Sequence, residues 1–209
     1  MKQVVLILIC LTVIFSANVF ADDFKVNASY GDWEISSSRL KSDADSSMAK
    51  LNIYVPQENT MVYEFNASYA GGLSDGHGGF GLHVFVDKPA KAKAWGEGDS
   101  YLLWINYDEN PVDNGTPKGL SAQIYKSESN SRMELVQSVS LAAIEKLVYN
   151  NMDKKLPIKL VIDGNSGMAK VYDPFKADYA YTFPLTSDTP MKGDYVSVRT
   201  NSLSVAFSQ

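Results

Sequence analysis

The sequence predicts an all-β protein, a two-sheet antiparallel sandwich with one short inserted helix. Three observations carry this. About a dozen short segments alternate apolar and polar residues with the period of two that defines a strand. They recur at spacings of roughly 8–12 residues, separated by Gly, Pro, Asn and Asp. One segment alone, near residue 145, switches to helical spacing.

Taken in order, residues 1–21 read as a secretion signal. Lys2 gives a basic start, residues 4–15 are nearly all apolar, and Val19-Phe20-Ala21 precedes Asp22-Asp23. A membrane span needs about 20 apolar residues, so this run suits a cleaved leader. The single cysteine, Cys10, lies in that leader behind bulky Leu8-Ile9, unlike a lipid-attachment site. The expected mature chain, one domain over residues 22–209, therefore has no disulfide and relies on burial. A periplasmic or extracellular location follows.

The formal charge is -5 with Lys2 included, and there is no basic run. That argues against nucleic acid and anionic membrane as partners. No later stretch is apolar enough to predict a membrane span.

The mature chain opens with a short strand at 24–30, then Gly-Asp-Trp-Glu-Ile. Residues 36–47 are rich in Ser and Asp and read as a loop or weakly paired edge strand. In 48–55, Leu51, Ile53 and Val55 share a face, and Pro56 is expected to close the strand. The block 61–108 is the most regular. Met61, Tyr63, Phe65, Ala67 and Tyr69 oppose Val62, Glu64, Asn66 and Ser68. Phe80, Leu82, Val84 and Val86 oppose Gly81, His83, Phe85 and Asp87. Tyr101, Leu103, Ile105 and Tyr107 oppose Leu102, Trp104, Asn106 and Asp108. One stripe per strand is apolar and should meet a second sheet; the mixed stripe should line an open surface.

Residues 110–118 form a loop. Strands at 119–126 and 132–139 make one hairpin. Leu141, Ile144, Leu147 and Val148 then fall at helical spacing within 140–151, with Ser140 placed to cap the start. A second hairpin pairs 157–163 with 168–172 around Gly164–Gly167, and 179–183 is a short strand. Strands at 194–200 and 203–208 pair around Asn201.

Several stretches together resemble the concanavalin A-like lectin/glucanase jelly-roll superfamily. They are the Gly-Asp-Trp opening, Tyr-Glu-Phe-Asn-Ala running into a Gly-rich turn, Gly-Phe-Gly-Leu-His-Val-Phe, Ser-Tyr-Leu-Leu-Trp-Ile-Asn, the hairpin around Ile-Asp-Gly-Asn-Ser-Gly and the final Gly-Asp-Tyr-Val-Ser-Val-Arg-Thr-Asn-Ser-Leu-Ser-Val-Ala-Phe. Within it the chain is most similar to laminin G-like and 3-keto-glycoside hydrolase-like domains. The resemblance covers most of residues 30–208 and concerns strand order rather than chemistry. It implies a jelly roll with one concave sheet and a role in contacting sugars. The Glu-x-Asp-x-(x)-Glu run of the glucanases is missing: Glu64 stands alone, and Asp87 and Asp108 lie at strand ends.

Hydrolysis of a glycoside needs two carboxylates roughly 5–9.5 Å apart. Glu64 would need Asp108 or Glu109 beside it, and an exposed face residue is the plainer reading of Glu64. His77 with Asp75 falls short of the three or four ligands zinc takes. No cofactor is predicted. Calcium stays open, since Asp43/Asp45, Asp113-Asn114 and Asp163-Gly164-Asn165 offer loop oxygens, although Asp-Gly-Asn is ordinary hairpin-turn chemistry.

An aromatic face beside an amide is the usual way to hold a sugar. If the mixed stripes align, Glu64, Asn66, His83, Phe85, Trp104 and Asn106 floor one surface and Trp95, on a Gly-rich loop, closes over it. The competing reading puts Trp104 in the core and leaves Trp95 pinning its loop. The expected function is a non-catalytic module contacting glycan or an envelope surface. The alternatives are a structural protein of an extracytoplasmic assembly, such as a filament sheath, docking on an envelope protein, and a weak glycoside hydrolase.

Overall fold

The computed structural model describes residues 26–45, 47–112 and 115–209. The expected secretion signal and the Asp113-Asn114 pair lie outside the described residues.

Among the described residues, fourteen strands and one helix succeed one another: β1 (Val26–Tyr30), β2 (Asp32–Ser36), β3 (Arg39–Asp43), β4 (Met48–Gln57), β5 (Thr60–Gly72), β6 (His77–Val86), β7 (Ser100–Asp108), β8 (Gly119–Ser129), β9 (Arg132–Ser140), α1 (Ala142–Tyr149), β10 (Leu156–Asp163), β11 (Met168–Asp173), β12 (Lys176–Pro184), β13 (Gly193–Asn201) and β14 (Leu203–Ser208). They form two antiparallel seven-stranded sheets. The first runs β1-β4-β13-β6-β7-β8-β9 and the second β12-β11-β10-β5-β14-β3-β2. This is a jelly-roll sandwich.

The apolar stripes meet between the layers. Leu51, Ile53, Leu82, Val84, Leu103, Ile124 and Val198 of the first sheet face Met61, Tyr63, Leu160, Ile162, Phe183, Val205 and Phe207 of the second, all buried. Burying each of these side chains contributes about 1.5–3 kcal/mol before the entropy of ordering is subtracted.

Local departures from the sequence pattern have physical reasons. The polar stretch at 36–47 contains β3, which lies between β14 and β2. Its Ser42 is fully buried because its hydroxyl accepts from Val205 N at 3.0 Å, which satisfies a polar atom that composition alone would place in solvent. Pro56 lies within β4 and does not end it. The β13 register shifts between Gly193 and Tyr195 there, so a missing N–H costs no regular ladder bond.

Phe85 leaves its expected stripe. The β6–β13 register shifts between Tyr195 and Ser197, Phe85 takes φ 55°, and its ring packs in the interlayer core. A bulge adds one residue and so reverses the facing of the residues beyond it. Gly193 sits against this bulge, and a Cβ there would lie 2.3 Å from the Phe85 carbonyl carbon.

Candidate functional site

The outer face of the first sheet carries the mixed stripes of β4, β13, β6, β7 and β8. Cross-strand register places Lys50, Arg199, Gly81, Trp104 and Gln123 in one row across five strands. The neighbouring row is Asn52, Ser197, His83, Leu102 and Tyr125. Gly81 has no side chain, so Arg199 and Trp104, two strands apart, meet over it. The Arg199 guanidinium carbon lies 5.5 Å from the centre of the Trp104 ring. A Cβ on Gly79 would fall 2.6 Å from that ring, so the indole occupies space that a side chain there would need.

The segment 87–99, between β6 and β7, folds back over this face. Lys50 Nζ donates to Gly96 O at 2.7 Å and to Glu97 Oε2 at 2.5 Å. Glu97 Oε1 accepts from Ala90 N at 2.7 Å, and Asn52 Nδ2 donates to Ala90 O at 3.1 Å. Glu97 N donates to Ser127 Oγ at 2.8 Å. Arg199 Nη1 donates to the Trp95 carbonyl at 2.7 Å. The Trp95 ring centre lies 4.8 Å from the same guanidinium, which is therefore in cation–π range of two indoles. Burial lowers the Arg199 pKa to about 10, with Glu97 and Tyr125 opposing the shift, so it stays charged at neutral pH.

Trp95 is 54 % exposed and Trp104 only 8 %. Trp104 belongs to neither expected place: it lies on the outer face, outside the interlayer core, but beneath the covering segment. Its Nε1 donates to Asn106 Oδ1 at 3.1 Å, which leaves the Asn106 amide nitrogen as a donor. Tyr125 OH donates to Gln123 Oε1 at 2.8 Å. The result is one exposed indole, held by a buried cation, with amide and phenol groups in the rows beside it.

Of the residues expected to floor one surface, the structure brings together Trp95, Trp104, Asn106 and His83. It separates Glu64 and Asn66. Both belong to β5, in the other sheet, so their stripe faces away on the opposite side of the sandwich. There Glu64 stands directly across from Lys159 and pairs with it at 2.5 Å, both half-exposed. Such a pair contributes little to stability. Glu64 and Asp108 or Glu109 are thus divided between sheets, and Glu109 accepts the Tyr107 hydroxyl at 3.2 Å.

His83 is fully buried beneath the covering segment, with Nδ1 3.2 Å from Ser100 Oγ and no partner on Nε2 among the described residues. Burial holds its pKa well below the usual imidazole value, helped by the Lys50 and Arg199 charges. The unfolded chain therefore takes up a proton near pH 6.5 that the folded chain refuses. Stability from this site is complete above about pH 6.5 and falls with acidification, by up to about 1.4 kcal/mol per pH unit. Urea unfolding between pH 7.5 and 5.0 should show this slope, and His83→Gln should flatten it. An unchanged slope in that variant would assign the effect elsewhere.

Among the described residues no three His, Cys, Asp or Glu side chains lie close enough together to share a metal ion. His77 contacts Asp75 at 3.2 Å. Asp163 accepts from Asn165 N and Ser166 Oγ, which is turn chemistry as the sequence suggested. The residues that sequence reasoning missed are Lys50, Glu97, Gln123, Tyr125 and Arg199. Lys50 and Arg199 had a legible signal, each the one cation on its strand.

The architecture is a two-sheet antiparallel jelly-roll sandwich, and solved structures similar to it include lectins and a carbohydrate-binding module. Among solved structures, the chain is similar to the carbohydrate-binding module CBM66 from Bacillus subtilis, with TM-score 0.58 and 12% identity over 88% of this chain and 92% of that one. It is also similar to lectin I-B4 from Griffonia simplicifolia in its metal-free form, with TM-score 0.54 and 13% identity over 93% and 94%. The legume lectin-like domain from Entamoeba histolytica matches at TM-score 0.53 and 10% identity over 89% and 86%. At these identities the likeness establishes the fold. The sequence matches no protein-family profile and no curated protein sequence.

Proposed function

We propose that the protein is an extracytoplasmic, non-catalytic module that binds glycan on the outer face of its first sheet. The observation that carries this is the Trp95 indole, exposed and fixed over Arg199, with Asn106 and Tyr125 on the same outer face in the rows beside Trp104. A sugar ring would stack on the indole while the amide and phenol hydrogen-bond its hydroxyls. The lectin and carbohydrate-binding module folds support the same reading, as does the separation of Glu64 from Asp108 and Glu109. The nearer kinship to laminin G-like or 3-keto-glycoside hydrolase-like domains belongs to this proposal and not to the established fold.

Trp95→Ala tests it. The segment is anchored through the Trp95 main-chain carbonyl, so truncating the ring removes stacking and leaves that bond. Glycans found on an array should bind Trp95→Ala about tenfold more weakly or worse by calorimetry, with stability lowered only by the lost cation–π contact, about 0.5–1 kcal/mol. A blank array, or equal affinity in the variant, refutes the site.

A second reading, docking on an envelope protein, is favoured by the partly exposed Tyr54–Tyr195 pair, rings 5.4 Å apart on neighbouring strands of the first sheet. Tyr54→Ser abolishing capture of a partner from envelope material, with a blank glycan array, would favour it.

A further inference from the structure

Between the two layers, at the side closed by α1, lies a cavity of about 640 Å³. Phe80, Ile105, Leu120, Leu156, Leu203 and Val205 wall it. A narrower void of about 90 Å³ shares Phe80, Ile105, Leu120 and Leu156 and reaches Leu103 and Ile144 deeper in the sandwich. Folded interiors are close-packed, with few voids larger than a water molecule. Ligand pockets, by contrast, run from about 300 to 1,000 Å³ and are mostly apolar with a few placed polar groups. This cavity has the second character.

The helix is built to cover it and is fixed to both sheets. Leu141 N donates to Leu120 O at 2.8 Å, and Glu145 Oε2 accepts from Leu120 N at 2.8 Å, which ties α1 to β8. The turn after α1 is tied to β5, where Tyr69 N donates to Met152 O at 2.6 Å. The cavity is thus a feature of how the layers are held apart.

Its polar atoms set the ligand's chemistry. Asn106, Tyr107, Glu109, Glu145 and Lys146 all line it, so two carboxylates accompany one ammonium among the described residues. Glu145 is engaged by Leu120 N, and Glu109 by the Tyr107 hydroxyl. That balance does not favour an anionic head. We infer that the cavity takes a neutral, elongated lipid with one hydrogen-bonding end, of the monoacylglycerol or fatty-alcohol class. The tail lies against Phe80, Leu203 and Val205, and the hydroxyl end meets Lys146. Asn106 borders both this cavity and the Trp95 surface, but Trp95, Trp104 and Arg199 do not line the cavity, so either proposal can fail alone.

The purified protein is titrated with the neutral dye N-phenylnaphthylamine, and bound dye is then displaced with monoolein or oleate. Saturable binding at one site is expected, with monoolein displacing more strongly than oleate. Val205→Phe and Leu156→Phe, each checked for folding by circular dichroism, should weaken binding at least tenfold, and Trp95→Ala should leave it unchanged. Methyl NMR of the unaltered protein gives a readout without substitutions: monoolein should shift Leu203 and Val205. Non-saturable binding, stronger displacement by oleate, unaltered affinity in folded filling variants, or unmoved Leu203 and Val205 methyls would each overturn the inference.

Discussion

Glu97→Leu is expected to cost about 3–5 kcal/mol of stability, because it strands the Lys50 ammonium in the interior. Both side chains are 0 % exposed in an ion pair of 2.5 Å. Burial already lowers the Lys50 pKa, and Glu97 works against that shift by attraction and hydrogen bonding. Without the carboxylate, Lys50 keeps the Gly96 carbonyl and faces Arg199, a second cation. The double variant Lys50→Met/Glu97→Leu should recover most of the loss, since both charges leave together and apolar groups of similar size replace them. Urea midpoints at constant slope measure all three proteins. A loss below about 1 kcal/mol in the single variant would show that the covering segment does not depend on this pair.

The same substitution should also reach the proposed glycan surface. Glu97 stands two residues after Trp95, and its bonds to Lys50, Ala90 N and Ser127 Oγ hold the segment that presents the indole. Ordering a flexible segment on binding costs affinity. Glu97→Leu should therefore weaken glycan binding and stability together, whereas Trp95→Ala weakens binding with little loss of stability. That contrast separates the residue that touches the sugar from the residues that position it.

The period-two stripes made the strands legible, and α1 was legible from Leu141, Ile144 and Val148. What the stripes could not carry is sheet membership. β5 and β7 show the same alternation, yet β5 pairs with β10 and β14 while β7 pairs with β6 and β8. Pairing across such sequence distances is set by the closure of the whole sandwich, so nothing local to Glu64 and Asn66 told their outward face from that of Trp104 and Asn106. The Phe85 bulge was illegible for a related reason, because it arises where Gly193 of β13 arrives beside it. Glu97 lies in a loop with no periodicity, and its burial depends on Lys50, a partner 47 residues away. Lys50 and Arg199 were open to inference: a charged residue between buried neighbours has to be matched by a buried acid, an aromatic face or a carbonyl.

Phe207→Ala is expected to cost about 3–5 kcal/mol, the usual range for truncating a buried aromatic ring. For a chain of this size that corresponds to roughly 2–4 °C of melting temperature per kcal/mol. Phe207 is buried in β14 and packs against three rings from three other strands: Trp33 of β2 at 6.4 Å, Phe65 of β5 at 5.9 Å and Phe80 of β6 at 6.0 Å. Phe80 is the partner from the opposite sheet, so the ring is a contact between layers as well as within one. Phe80 also walls the interlayer cavity, which makes the cost diagnostic. If Phe80 swings into the space left by Phe207, the walls relax, the loss falls toward about 2 kcal/mol, and the interlayer cavity grows on Phe80's side. If Phe80 is held, the full loss appears and dye affinity is unchanged. Thermal unfolding and dye titration on the one variant distinguish the two, and a loss under about 1 kcal/mol would mean that this aromatic cluster does not join the sheets.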